Sequence, residues 1–232
     1  MRRLSKHMLT GRGKGHSGWL LIRAVLLGVL FSAGAARSHA GTDEGEAARR
    51  HATIRWDIAN VADNIIAPGG VASAFADDGS KITLTGSGTF VESRIRKGPL
   101  AGLSSQVTGG GTWEKFDPHG DSTGAGTYTV TLLDRFDPAP GTLVGSGATD
   151  LIGELEDTQA GLAVFNVEYS DGTRGTLTFS CWLPFGTPNS VFEGITASKD
   201  FVDYWNREDG KPISTADQTI FHRVPKRDHD KD

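Results

Sequence analysis

The chain has 232 residues, a formal net charge of −4 at pH 7, 31 glycines and one cysteine. A single cysteine excludes an intramolecular disulfide, and with it the class of small disulfide-stapled scaffolds. The acidic balance argues against a nucleic-acid partner, because binding to a phosphate backbone requires a basic surface.

The first forty residues have the pattern of a secretory signal peptide. They carry seven basic residues and no acidic one, and they include the apolar run Ala24–Ala36. This run is shorter than the roughly 20 residues of a membrane-spanning helix, and the small residues Ser38 and Ala40 stand where a signal peptidase cleaves. We predict cleavage after Ala40 and a secreted or periplasmic protein. An uncleaved anchor is the alternative, and Arg2-Arg3 also permits twin-arginine export.

Cleavage would leave 192 residues, which suits one domain with a sizeable core. The formal net charge would fall to −11, because only basic charges are removed. The predicted organisation is a flexible leader at 41–52, a β domain at 53–223 and a disordered, charged tail at 224–232. We expect no stable membrane span after cleavage, and the oligomeric state stays open.

Short segments in which apolar and polar residues alternate predict antiparallel strands from the start of the β domain. The first is Thr53–Ile58. The next two, Val71–Ala76 and Lys81–Phe90, flank Asp77-Asp78-Gly79-Ser80, whose residues favour a turn, so they predict a hairpin. In these segments one face is apolar and the other polar, as in a sheet with one buried side.

The second half of the domain continues this pattern. Gly126–Leu133 predicts a strand, and Gly161–Tyr169 with Arg174–Leu183 predicts the clearest hairpin, around the turn Ser170-Asp171-Gly172-Thr173. The inward-facing residues of the first of these strands are expected to be Tyr128, Val130 and Leu132. Thr149–Ala160 has partial helical spacing and predicts one short helix, whereas Phe201–Glu208 suits a helical turn or a strand.

Glycine is unfavourable inside strands, yet it recurs within or beside the strand candidates. The positions are Gly86, Gly88, Gly109, Gly110, Gly111, Gly124 and Gly126. In strands glycine marks bulges, bends or a close approach of backbones, which strongly curved sheets use to close. We therefore predict an all-β fold with a single antiparallel β-barrel and at most one or two short helices; a β-sandwich is the alternative.

Asp117, His119 and Asp121 alternate along a loop and place an imidazole between two carboxylates. Such donors bind a metal ion only when they converge with defined geometry, and a solvated loop accounts for the same residues. No metal site is predicted, and these three residues are the candidates should one exist. None of the glycine-rich segments completes a phosphate-binding loop, so no cofactor is predicted.

Glu193 stands among apolar residues, beside Phe192 and close to Ile195. Burial can raise the pKa of such a carboxyl toward neutrality, where it acts as a general acid or base, so Glu193 is the candidate catalytic residue. Cys181 is expected to point into the core, where a thiol is unreactive.

Aromatic residues with polar neighbours are the usual lining of a small-molecule site. The candidate ligand-binding residues are Trp56, Trp113, Tyr128 and Trp205. Three functions remain open: an exported barrel that binds a small, partly apolar ligand, a cofactor-independent cyclase or isomerase in the same interior, and a surface interaction protein without a cavity.

Overall fold

The structure is a computed structural model that describes residues 52–92, 106–207 and 217–225. The predicted signal peptide, the leader up to residue 51 and the tail from residue 226 lie outside the described residues. The strands are β1 (Thr53–Ala62), β2 (Ile65–Pro68), β3 (Ala72–Phe75), β4 (Lys81–Leu84), β5 (Ser87–Val91), β6 (Val107–Phe116), β7 (Ser122–Ala139), β8 (Thr149–Asp150), β9 (Thr158–Tyr169), β10 (Arg174–Cys181), β11 (Gly194–Lys199), β12 (Val202–Tyr204), β13 (Asn206–Arg207) and β14 (Thr219–Val224).

Six antiparallel strands close into a ring in the order β1-β5-β6-β7-β9-β14 and back to β1. Within the described residues, three short extensions leave it. One runs from β9 through β10 and β11 to β12, a second runs from β6 through β4 and β3 to β13, and the third runs from the end of β1 through β2 to β8. The predicted all-β fold with an antiparallel barrel is therefore confirmed.

Both predicted hairpins are present, as β3–β4 and β9–β10. The segment Lys81–Phe90 is divided into β4 and β5, but its two faces are as predicted. Ile82, Leu84 and Phe90 are buried. On the outer face, threonine hydroxyls pair with those of β6: Thr85 with Thr112 at 2.7 Å and Thr89 with Thr108 at 2.9 Å.

The helix predicted at Thr149–Ala160 is wrong. This segment contains β8, a 3₁₀ turn at Leu155–Asp157 and the start of β9. The side chain of Asp150 accepts hydrogen bonds from the backbone N–H groups of Ile152 and Gly153, at 2.8 and 3.2 Å. Such local hydrogen bonds compete with helix formation. From Thr158 onward the chain pairs as strand β9 and does not form a helix. The described part of Phe201–Glu208 forms strands, β12 and β13.

The prediction that Leu132 points inward is wrong, because β7 contains a β-bulge just before this residue. The register between β7 and β9 shifts between Val130 and Leu132. One extra residue reverses which side chains point inward, so Leu133 is buried at 2% exposure and Leu132 is only half-buried. Tyr128 and Val130, which precede the bulge, are buried as predicted.

Aromatic side chains fill the interior of the ring. The fully buried Trp56 of β1 packs on Phe165 and Phe179, with ring centroids 5.4 and 5.5 Å apart. Phe90 and Phe221 continue the cluster, Phe221 lying 4.9 Å from Phe179 and 6.0 Å from Phe90. These tilted and edge-to-face arrangements are favourable for aromatic pairs. The centre of the ring is therefore a packed core.

Glycines on β5 and β6 make room for the indole of Trp56. Gly88 is the cross-strand partner of Trp56, and Gly109 is the partner of Gly88 on the next strand. A Cβ atom on Gly88 would lie 2.7 Å from Trp56 Nε1 and 2.0 Å from the carbonyl oxygen of Thr108. A Cβ atom on Gly109 would lie 2.9 Å from Trp56 Cζ2. These distances are too short for a side chain of any size.

Gly88→Ala is expected to lower the free energy of unfolding by at least about 2 kcal/mol, because the added methyl group overpacks the core. Gly124→Ala is the matched control. Its Cβ would lie 3.4 Å or more from the Trp113 ring, an ordinary contact, so the change should stay within about 0.5 kcal/mol. Urea unfolding of both variants measures the difference. Equal stabilities would contradict the close packing of Trp56 on Gly88.

Candidate functional site

An apolar cavity of about 250 Å³ lies beside the point where β1 leaves the ring. Up to Ile58, β1 pairs with β14, and from Ala59 onward it pairs with β2 instead. The apolar lining comprises Ala59, Val61, Ile66, Leu143, Ala148, Leu183, Pro184 and Ile220. The other lining residues are Asn64, Ser146, Trp182, Glu193, Gln218 and Thr219.

Two loops form the outer walls of this cavity, residues 140–148 between β7 and β8 and residues 182–193 between β10 and β11. The backbone N–H of Thr142 donates to the carbonyl of Phe185 at 3.0 Å and joins the two loops. Within the second loop, the Thr187 hydroxyl accepts the backbone N–H of Leu183 at 3.1 Å. The cavity walls are therefore tied together by hydrogen bonds.

Glu193 lies at the floor of the cavity with only 4% of its surface exposed. Its Oε2 accepts the backbone N–H of Trp182 at 2.5 Å, and its Oε1 accepts that of Thr219 at 2.6 Å. One side chain thus joins the end of β10, the start of β11 and the start of β14. Burial raises the pKa of Glu193 to about 8, opposed in part by these donors, and the charge of Asp217 adds to the increase.

The hydroxyl of Thr219 explains how a neutral Glu193 is accommodated. Thr219 Oγ1 lies 2.5 Å from the carbonyl oxygen of Ser180 and 2.9 Å from Glu193 Oε1. A hydroxyl has one proton, and the carbonyl of Ser180 can only accept. When Thr219 donates to Ser180, a protonated Glu193 can donate to Thr219. At pH 7 the carboxyl group of Glu193 is therefore mainly protonated. It presents a hydrogen-bond donor and carries no negative charge.

The structure places the four predicted ligand-binding residues in two environments. Trp56, Trp113 and Tyr128 are at most 5% exposed and belong to the core. The Trp113 indole N–H donates to the Thr127 carbonyl at 3.1 Å, and Trp113 is one of the residues that line a shallow concavity formed by β4, β6 and β7. Trp205 is 63% exposed. None of the four lines the cavity that contains Glu193.

The loop that carries the metal candidates is held by its own hydrogen bonds. Asp117 Oδ1 accepts the backbone N–H groups of His119 and Asp121, both at 2.9 Å. This arrangement stabilises the turn between β6 and β7. Within the described parts of the chain, no group of three or more His, Cys, Asp or Glu side chains is placed to hold a metal ion.

Cys181 is completely buried, as expected, and burial raises the pKa of its thiol well above the ordinary value, with the charge of Glu193 as a second cause. A thiol in this setting stays protonated at physiological pH. It therefore packs as a small apolar side chain.

A second buried ionisable residue, Lys199, ends β11. Its Nζ donates to Asp171 Oδ2 at 2.5 Å and to the Thr173 hydroxyl at 2.7 Å. It also lies 4.4 Å from the ring centroid of Trp113 and 4.7 Å from that of Tyr169. The ammonium lowers the pKa of Asp171 to about 2. This arrangement satisfies the buried charge and connects the β9–β10 turn to β11.

A third polar cluster lies on the outside of the ring, where His222 Nε2 is 2.8 Å from Asp150 Oδ2. Nearby, Arg55 makes two hydrogen bonds to the buried Asp57, at 2.7 and 2.9 Å. Burial raises the pKa of Asp57 despite the guanidinium. A Cβ on Gly153 would lie 2.5 Å from the His222 ring, so this segment covers the histidine closely.

Comparisons of the chain with protein-family models, with curated proteins and with solved structures gave no significant match.

In the ranges that the structure describes, no helix has the length and apolar character needed to cross a membrane.

Sequence reasoning identified Glu193 but missed the rest of its cavity. The walls come from loop residues such as Leu143, Ala148 and Pro184, which share no periodicity. Lys199 was also missed, because a lone lysine that follows Ser198 and precedes Asp200 gives no local signal of burial. The apolar neighbours of Glu193 were the one local signal that pointed to this site.

The raised pKa of Glu193 predicts a pH-dependent stability. Between the ordinary pKa of 4.5 and the folded value of about 8, the folded state holds one proton more than the unfolded state. The contribution of Glu193 to the free energy of unfolding is therefore complete below about pH 4.5 and is lost as pH rises to 8, by up to about 1.4 kcal/mol per pH unit.

Glu193→Gln should remove this slope, because an amide does not titrate. It should also cost about 1–3 kcal/mol at pH 5, since the amide NH₂ must face the N–H of Trp182 or that of Thr219. Urea unfolding at pH 5, 6, 7 and 8 tests both effects, with the exposed Glu168→Gln as the control. Parallel pH profiles for wild type and Glu193→Gln would show that the carboxyl titrates normally.

Proposed function

We propose that this protein binds a small, mostly apolar molecule in the cavity above Glu193. The observation that carries the proposal is an accessible apolar cavity bounded by two loops on a barrel whose centre is filled. Ligand sites are concave, largely apolar and fitted with a few polar groups, which describes this lining. The barrel provides the rigid support, and the loops provide the specificity.

The size and charge of the cavity restrict the ligand. A volume of about 250 Å³ lies just below the range of roughly 300–1,000 Å³ that is usual for pockets of drug-sized ligands, so the ligand is smaller than most such molecules. Glu193 is neutral at pH 7 and becomes negative above about pH 8. An uncharged ligand is favoured at pH 7, because an anion finds no cationic partner among the lining residues and a cation meets a neutral carboxyl at Glu193.

Ala148→Phe should abolish binding of an apolar probe, because the ring would occupy the cavity. Titration with the uncharged fluorescent dye N-phenyl-1-naphthylamine measures this, and Ala125→Phe is the matched control on the exposed face of β7. We expect wild type and Ala125→Phe to bind equally and Ala148→Phe at least tenfold more weakly, with Tm values showing that all three fold. Native mass spectrometry of the exported protein should show a retained molecule that Ala148→Phe lacks. Equal dye binding by all three proteins would refute the proposal.

An acid–base enzyme of the cyclase or isomerase type is the second candidate, and the neutral carboxyl at the cavity floor favours it. General acids require a pKa near the working pH, which burial gives to Glu193. Its hydrogen bonds to Trp182 and Thr219 would have to open for full contact with a substrate. The variant Glu193→Gln distinguishes the two functions. We expect it to bind the ligand in both cases, and to lose catalytic turnover if the protein is an enzyme.

We also propose that the protein acts outside the cytoplasm after cleavage behind Ala40. The basic and apolar composition of residues 1–40 supports this proposal. N-terminal sequencing of the protein recovered from the medium or periplasm should begin at Gly41. Recovery of the full-length chain in the membrane fraction would instead support the uncleaved anchor.

A further inference from the structure

We infer that the exposed aromatic residues Phe201 and Trp205 form, with three neighbouring aspartates, a docking surface for an arginine-rich polypeptide segment. This surface, called the aromatic–acidic patch below, surrounds a shallow concavity of about 360 Å³. Its residues are Ala76, Asp77, Asp78, Phe201, Val202, Asp203 and Trp205. It shares no residue with the cavity above Glu193.

The fold does not require the exposed ring of Phe201. The β11–β12 hairpin has a two-residue turn, Asp200-Phe201, and both residues have positive φ, 54° and 64°. Such a turn favours glycine at its second position, and a bulky residue there is strained. The Phe201 side chain is fully exposed and packs on no core residue. A strained backbone that presents a bare aromatic ring is typical of a functional site.

Trp205 is held in place by hydrogen bonds although it is 63% exposed. Its indole N–H donates to Asp77 Oδ1 at 3.1 Å, and Asn206 donates to the same oxygen at 3.4 Å. These bonds connect the segment between β12 and β13 to the β3–β4 turn. The indole is thus positioned before any partner arrives, which reduces the entropy lost on binding.

The negative charge of the patch is complementary to a cationic partner. Asp77, Asp78 and Asp203 are exposed, and within the described ranges no ion pair reaches any of them. The neighbouring cations have other contacts: Lys115 and Lys199 contact Asp200, and Lys81 lies over the ring of Phe116, 4.8 Å from its centroid. An acidic surface with exposed aromatic faces attracts cations through both charge and the ring quadrupole.

Within the described residues, aromatic rings and carboxylates already surround one buried cation, Lys199. Lys199 lies over the rings of Trp113 and Tyr169 while it contacts Asp171 and Asp200. In the aromatic–acidic patch the same two kinds of group face solvent, and no cation from the described part of the chain forms an ion pair with them. Arginine suits an open site better than lysine, because its planar guanidinium can stack on a ring and bind a carboxylate at once.

Fluorescence anisotropy with labelled hexa-arginine in 150 mM NaCl tests the inference. Wild type should bind, and Phe201→Gly and Trp205→Ala should each weaken binding at least fivefold without any change in protein charge. Phe201→Gly should keep or raise the Tm, because glycine relieves the turn. Phe185→Ala, which removes a half-exposed aromatic residue outside the patch, is the matched control and should bind within twofold of wild type.

A second pair of variants separates the patch from the general acidity of the chain. Asp203→Asn should weaken binding at least threefold, and Asp121→Asn, which removes an exposed carboxylate elsewhere, should not. The inference is overturned if wild type does not bind hexa-arginine, if all variants bind alike, or if the patch variants lose binding to neutral cellohexaose and not to the peptide. The last result would assign the patch to carbohydrate.

Discussion

The packing of Trp56 against a glycine-lined wall is the constraint on which the rest of the structure depends. A six-stranded ring leaves little interior space, and one indole with its phenylalanine partners fills it. The fit requires that β5 and β6 carry no side chain where the indole lies, at Gly88 and Gly109. Because the centre is occupied, the proposed ligand cavity lies outside it, beside the point where β1 leaves the ring.

Strand β11 shows how the ends of the barrel are secured. Glu193 immediately precedes it and Lys199 ends it, and both residues are buried. Each satisfies its polar atoms by joining separate elements: Glu193 joins the starts of β11 and β14 to the end of β10, and Lys199 joins β11 to the β9–β10 turn. Buried ionisable groups are unfavourable unless all of their polar atoms have partners. The hydrogen bonds of Glu193 and Lys199 therefore also fix the positions of the chain segments that they join. One of them forms the floor of the proposed ligand site.

Both proposed functional surfaces lie on connections, while the ring provides the support. The cavity is bounded by residues 140–148 and 182–193, and the aromatic–acidic patch by two hairpin turns. Loops can vary without loss of the core, which is why binding sites concentrate there. Phe201 illustrates the consequence, since its strained backbone weakens the turn that presents it. The two surfaces are chemically opposite, one apolar and enclosed, the other acidic and open, and they suit different partners.

The sequence by itself determined the all-β class, the two hairpins and the barrel, because alternation, turn residues and glycine spacing are local signals. It did not predict strands at β11 or at β14, although β14 belongs to the ring. It also singled out Glu193 from its apolar neighbours. The tertiary structure decided the rest. The bulge that buries Leu133 depends on register with β9, and the strand at Thr158 depends on pairing with distant partners. Whether an aromatic residue lines a cavity, fills a core or stands exposed depends on packing across strands, so Trp56 and Trp205 look alike in sequence and differ completely in the fold.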